Sequence, residues 1–381
     1  MSLSEEKKND PGIIFVLEDG RLAGPQIYVT RLCKALDINC RVFFPKSRSS
    51  IEFGHLLEKS GINYSKVFMN RLSREPLRLI FYFLSFLPEI LILTVRFLFS
   101  TESIVYCAGG SWQIKAAIAG KLARKKVVWH LNDTFAPSLI LRVFNYLSFL
   151  ADGYVHASEA TNRYYKKFLS ERPSMVIPAP VDIDDFSDAK KLEDLSSKIT
   201  VTIGTVSNIN PIKNLEDFIE VAAILNNEKS MKFKFVIYGP IFPSQQDYYN
   251  KLHKKIVDLG IGNLSFFGPV DNSSLALNEI DIFLFTSKFE SSPMVVWEAM
   301  MGGVPIVSYK VGDIPRFVNH KKNGMLADKF DKQMLIESIK WLIVDFSLLN
   351  KVSKNARETA LNHFSNNKCA ELHVEYLSRL I

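Results

Sequence analysis

Residues 281–307, DIFLFTSKFESSPMVVWEAMMGGVPIV, decide the fold. The apolar run Ile282 to Phe285 is short enough for a strand buried on both faces, and polar residues bound it. Thr286 to Phe289 then lead into a helix. Ser292 has the side chain of an N-cap and Pro293 suits a first helical turn, which predicts a helix over 293–301 ended by Gly302-Gly303. The next strand is expected over 304–308. Strand, helix and strand in this order belong to an open α/β sheet.

Such a sheet binds ligands beyond the carboxyl ends of its strands, where this reading puts Glu290 and the first-turn amides of Met294, Val295 and Val296. A helix start favours an anion. Glu298 follows Met294 by four residues and shares its face one turn further in, so two carboxylates eight apart flank one anion-binding helix end. A phosphate alone would not favour them. Carboxylates accept hydrogen bonds from hydroxyls, so the pattern points to a ligand with phosphate and polyol parts, such as a nucleotide sugar.

The ordered set Glu290, Glu298-Ala299-Met300, Gly303, Pro305, Val311-Gly312 and Asn323-Gly324 resembles the donor site of retaining glycosyltransferases of the family 4 type. The resemblance implies an α/β chain of GT-B fold, two Rossmann-like domains facing a central cleft. It implies that Glu290 holds sugar hydroxyls and that Glu298 holds the ribose. Ser292 belongs to the same donor loop.

Upstream, an expected strand ending at Val206 leads into Ser207 to Asn214 and a helix from about Leu215. By the resemblance, Lys213 neutralises the donor diphosphate, a charge-assisted contact worth roughly 1.5 to 3 kcal/mol. Asn208 stands where the family commonly has an arginine. Strands over 233–238 and 264–267 end in glycine turns, and the resemblance lays the second turn, at Gly268, against the nucleotide base through its backbone. Helices are expected over 332–346 and 348–364, and 368–381 resembles the family's terminal helix, which packs on the first domain.

In the first half, Ile13 to Leu17 reads as a buried strand before a helix over 26–36. The loop between them holds Gly24, which either approaches the donor diphosphate, as the resemblance implies, or makes an ordinary turn. Strands are expected over 41–44, 104–107 and 126–129. His130, just past the last of these, is placed to face the crevice, and by resemblance it contacts the transferred sugar. Leu77 to Phe99 is the most apolar region. Arg78, Pro88, Glu89 and Arg96 interrupt it, so one or two helices, part core and part interfacial, are expected rather than a membrane span.

Asp182-Ile183-Asp184 has the form of an Asp-x-Asp metal motif, but it stands at this family's interdomain connection, and the GT-B type needs no metal. The expected organisation is a first domain over 1–182 with the terminal helix 366–381, a linker over 183–198 and a donor domain over 199–365.

The 381 residues are 47% hydrophobic, ample for two cores. Four scattered cysteines lack metal-ligand spacing and the density of a disulfide framework. The start MSLSEEKKNDPG has no signal-peptide character, so a cytoplasmic location, peripheral at the inner face of a membrane, is expected. The first 190 residues hold 25 Lys and Arg against 19 Asp and Glu, so +6 of the net +7 lies there. That half suits an anionic membrane surface, while no recognition motif or dense basic patch supports nucleic acid. The expected partners are a nucleotide-sugar donor and a saccharide or lipid-linked saccharide acceptor, with no cofactor. The rival expectations are a nucleotide-sugar epimerase and a non-catalytic GT-B binding module at a membrane surface.

Overall fold

A computed structural model describes residues 12–72, 75–187, 200–228 and 231–381. The chain divides into two compact units, 1–180 with 366–381 and 181–365. The first comprises β1 (Ile13–Val16), α1 (Gly24–Ala35), β2 (Cys40–Pro45), α2 (Ile51–Lys59), β3 (Asn63–Val67), α3 (Pro76–Leu98), β4 (Ile104–Ala108), α4 (Ile114–Leu122), β5 (Lys126–Leu131), α5 (Ser138–Leu147), β6 (Gly153–His156), α6 (Glu159–Tyr165) and β7 (Ser174–Val176). The second holds β8 (Thr200–Val206), α7 (Leu215–Leu225), β9 (Lys232–Tyr238), α8 (Gln246–Asp258), β10 (Leu264–Gly268), α9 (Ser273–Asn278), β11 (Ile282–Phe285), α10 (Met294–Met301), β12 (Ile306–Tyr309), α11 (Ile314–Phe317), β13 (Met325–Ala327), α12 (Lys332–Val344) and α13 (Phe346–Phe364). The last helix, α14 (Asn366–Ser378), returns to the first unit.

Both sheets are parallel. Their strand orders are β3-β2-β1-β4-β5-β6-β7 and β10-β9-β8-β11-β12-β13. Each order reverses direction once, between β1 and β4 and between β8 and β11, and the carboxyl ends of those pairs open the crevice where α/β sheets bind ligands. The central strands are buried on both faces, so they read as continuous apolar runs.

In the first unit, Ile14, Val16, Val105, Trp129 and Leu131 form a core with Leu93 and Phe97 of α3 and Phe144 of α5. On the other side Tyr28 of α1, Tyr106 of β4 and His373 of α14 share hydrogen bonds of 2.8 to 3.2 Å, which ties the terminal helix into this unit. In the second unit Trp297 of α10 stacks on Phe364 of α13 at 4.2 Å.

One expectation is corrected. The linker does not begin at residue 183: Phe186 lies in the second unit's core and Val181 N donates to Phe364 O, so 181–187 belong to that unit. Residues 188–198 lie outside the described residues. The apolar region is one helix, α3, continuous through Pro88. It is long and apolar enough to cross a membrane by length and composition, yet Tyr82, Ile90, Leu93 and Phe97 on its inner side are built into the first unit. Glu89 is tolerated there because Lys115 of α4 meets it at 2.5 Å.

Candidate active site

The loops after β8 and β11 meet at the reversal point of the second sheet. Residues 211–213 make a single 3-10 turn, started by Asn210, whose side chain accepts from Ile212 N at 3.0 Å. Asn214 then takes a left-handed conformation, φ 52°, which asparagine tolerates, and its amide donates to Asp217 Oδ2 at 2.6 Å. This sharp re-aiming holds Lys213 over the β11 loop. Lys288 N donates to Ile212 O at 2.7 Å and Thr286 Oγ1 to Lys213 O at 3.1 Å. Lys213 Nζ reaches Glu290 Oε1 at 2.7 Å, with the two side chains 22% and 15% exposed.

Glu290 is held from behind. Gly312, at φ 55°, passes so close that a Cβ there would sit 2.4 Å from Ser291 O and 2.8 Å from Glu290 O, and Asp313 N donates to Ser291 O at 2.9 Å. The glycine of the Val311-Gly312 pair therefore fixes the backbone carrying the carboxylate. Gly324 serves packing instead: a Cβ there would lie 2.7 Å from Val318 and 2.8 Å from Ile306.

The helix start differs from expectation. Pro293, not Ser292, is the N-cap, and no side chain caps it. Ser292 Oγ instead accepts from Trp297 Nε1 at 3.0 Å, an indole donor that burial leaves in need of a partner. Val296 N is engaged by Pro293 O at 3.0 Å, so Met294 and Val295 carry the first-turn amides without an intrahelical acceptor. Glu298 lies in the next turn of α10 and is buried.

Asn208 is exposed on the β8 loop, which runs over Gly239. A Cβ on Gly239 would fall 1.9 Å from Ser207 O, so only glycine permits that approach. Gly268, φ 73°, accepts from Gly239 N at 2.7 Å, and the ends of β8, β9 and β10 are laced together. A cavity of about 470 Å³ lined by Arg316, Asn319, Lys322, Asn323 and Asn355 also lies on this unit; Asn323 of the donor-type set lines it, whereas Lys213, Glu290 and Glu298 do not.

In the first unit, Gly24 is exposed and opens α1 without a positive φ. His130 is not past the end of its strand. Pairing with Ala108 and Val155 extends β5 through Leu131, so His130 sits within the sheet, 1% exposed, its ring stacked on Tyr28 at 4.3 Å. Among the described residues neither ring nitrogen has a hydrogen-bond partner. Burial, then His373 and His156, push its pKa down to about 3, so the imidazole is neutral.

Sequence reading missed a second group at the other reversal point. Glu18, just after β1, accepts from Lys115 N at 2.9 Å at the start of α4. Lys115 Nζ, fully buried, donates to Glu89 Oε2 and to Asn70 O, each at 2.5 Å, lies 4.0 Å from Glu18 Oε2 and sits 4.1 Å above the Tyr82 ring. Burial pushes the Glu18 pKa up to about 7 against the lowering effect of Lys115 and its backbone donors. A charged residue inside the apolar 77–99 stretch was the available signal. Asp182, by contrast, accepts from Asp184 N at 3.3 Å within a local turn. Among the described residues no three His, Cys, Asp or Glu side chains group as metal ligands.

Residues 187–359 match the family described as glycosyl transferases group 1. An N-acetyl-alpha-D-glucosaminyl L-malate synthase of Bacillus anthracis is 29% identical over 48% of this chain and 46% of its own length. A UDP-Gal:alpha-D-GlcNAc-diphosphoundecaprenol alpha-1,3-galactosyltransferase of Escherichia coli is 28% identical over 50% of each. The chain thus spans about half the length of these curated relatives. The HepE protein of Anabaena, solved with UDP-glucose, superposes with a TM-score of 0.81 at 24% identity, over 97% of this chain and 100% of that one. Sucrose-phosphate synthase of Thermosynechococcus elongatus superposes at 0.77 with 16% identity, over 97% and 99%. By this architecture the chain has the GT-B fold of two Rossmann-like units, and within it residues 187–359 are similar to the group 1 glycosyl transferases.

Proposed function

We propose that this chain is a retaining, metal-independent glycosyltransferase that moves a hexosyl group from a nucleoside diphosphate sugar to a saccharide or lipid-linked saccharide acceptor. The observation that carries the proposal is the Lys213–Glu290 pair beside the first turn of α10, at the reversal point of the second sheet. Lys213 and the amides of Met294 and Val295 neutralise the diphosphate, Glu290 holds sugar hydroxyls, Glu298 holds the ribose, and the Gly268 backbone lies against the base. When the anomeric C–O bond breaks, its electron pair goes to the diphosphate, where preorganised positive charge stabilises it. His130, stacked on Tyr28, supplies a neutral imidazole to the first unit. The chain works in the cytoplasm against a membrane surface that holds its acceptor.

Thermal unfolding with UDP, GDP, ADP and their sugar conjugates is the first test, because ligand at about 100 times its dissociation constant adds about 2.7 kcal/mol of stability. Selective stabilisation by one base is expected, followed by donor consumption with acceptor and an NMR-determined retained anomeric configuration. Release of an altered sugar nucleotide without acceptor would instead identify an epimerase. Two observations favour a non-catalytic binding module: Asn208 stands where the family commonly has an arginine, and Lys213 is already paired. Donor consumption decides against that module.

A further inference from the structure

The outer side of α3 is apolar along its centre line. Leu77, Phe81, Leu84, Leu91 and Val95 follow one another at helical spacing along its centre line, and Leu84 is 71% exposed. The positions beside that line, Ile80, Phe83, Leu87 and Ile92, are exposed and apolar as well. Twenty-three residues make a ridge about 34 Å long. Water gains nothing from this surface, and a patch of this size marks an interface.

We infer that this face is a docking surface for an anionic lipid bilayer, with α3 lying in the plane of the interface. This deepens the membrane component of the proposed function and rests on it. Three observations select lipid over a second copy of the chain. A helix–helix seam is a narrow apolar line with charges on both sides, whereas here one whole flank, Ile80, Phe83 and Leu87, is apolar too. The surface is a convex ridge rich in leucine and phenylalanine, which suits a fluid apolar phase. Arg78 and Arg96, both exposed, are 18 residues apart, five helical turns, so they stand on one flank near the two ends of the ridge, and +6 of the chain's +7 charge lies in the first 190 residues. The inner side explains why the helix lies flat. Glu89 is locked to Lys115, and Ile90, Leu93 and Phe97 are in the core, so α3 cannot leave the unit to span.

The test is co-sedimentation of the full chain, without nucleotide, with vesicles of phosphatidylcholine alone or mixed with phosphatidylglycerol. Wild type is expected to pellet with the mixed vesicles. The double variant Leu84→Glu, Leu91→Glu changes only exposed side chains and is expected to keep the wild-type unfolding temperature and nucleotide response while its vesicle partition falls roughly ten- to a hundredfold. Arg96→Glu is expected to weaken binding to the anionic vesicles alone. Wild type remaining in the supernatant, or the double variant pelleting like wild type, overturns the inference. A concentration-dependent dimer seen by light scattering and abolished by the double variant also overturns it, in favour of a second copy. Nucleotide-dependent stabilisation measured without vesicles keeps a failed donor site distinct from a failed membrane surface.

Discussion

Replacing Glu290 by Gln is expected to tighten binding of the free nucleoside diphosphate while crippling transfer. Lys213 Nζ is committed to Glu290 Oε1 at 2.7 Å, in a site where both side chains are about four-fifths shielded. A diphosphate that recruits Lys213 must first displace that carboxylate. A charge-assisted hydrogen bond is worth about 1.5 to 3 kcal/mol net and a neutral one about 0.5 to 1.5, so the charge itself contributes about 1 to 2 kcal/mol to the pair. Glutamine keeps an acceptor oxygen but removes the charge, so most of that cost disappears. The dissociation constant for UDP, or whichever diphosphate binds, is expected to fall about five- to thirtyfold. The sugar-bearing donor loses a charged acceptor for its hydroxyls, which lowers kcat/KM by roughly ten- to 150-fold. Titration calorimetry of both proteins at two salt concentrations reads the first effect, and donor turnover reads the second. Equal or weaker diphosphate binding by the variant would refute the competition between Glu290 and ligand for Lys213.

Three further outcomes follow from the same geometry. Gly312→Ala forces a Cβ against Ser291 O at a positive φ, so a loss of about 1 to 3 kcal/mol is expected, with a lower unfolding temperature and a displaced Glu290; an unchanged Tm and turnover would contradict this role. Lys115→Met strands the buried Glu89 carboxylate and is expected to cost about 3 to 5 kcal/mol in urea unfolding, most of it regained when Glu89→Leu is added. Glu18→Gln tests the raised carboxyl. With the folded pKa near 7 and the unfolded value at 4.5, the folded state binds the extra proton between these values, so wild-type stability should fall relative to the variant as pH rises from 4.5 to 7 and level off above. The full difference is about 3 kcal/mol, and parallel stability curves for the two proteins would show that Glu18 titrates normally.

Much of the fold was legible locally. Ile282–Phe285 is the strand its apolar run announced, α10 ends at the paired glycines, and Leu215 begins the helix expected there. These features depend on hydrophobic run length, glycine and proline, which act over a few residues. The family resemblance marked Lys213 and Glu290, but a sequence reading held no contact between residues 77 apart. That contact arises because the strand order puts β8 beside β11, and order is decided by which crossovers pack, not by local propensity. The same holds for Glu18, Lys115 and Glu89, which come from a strand end and two helices. His130 was misplaced because strand pairing extended β5 by two residues, and Ser292 because a buried indole claimed its hydroxyl before any helix amide could. By itself the sequence determined two α/β units, the donor-type stretch over 290–324 and an apolar region interrupted by charge. Tertiary structure alone decided which of those charges are paired, which histidine is shut away from water, and which side of the apolar helix is left facing out, because each is a matter of what a distant segment brings alongside.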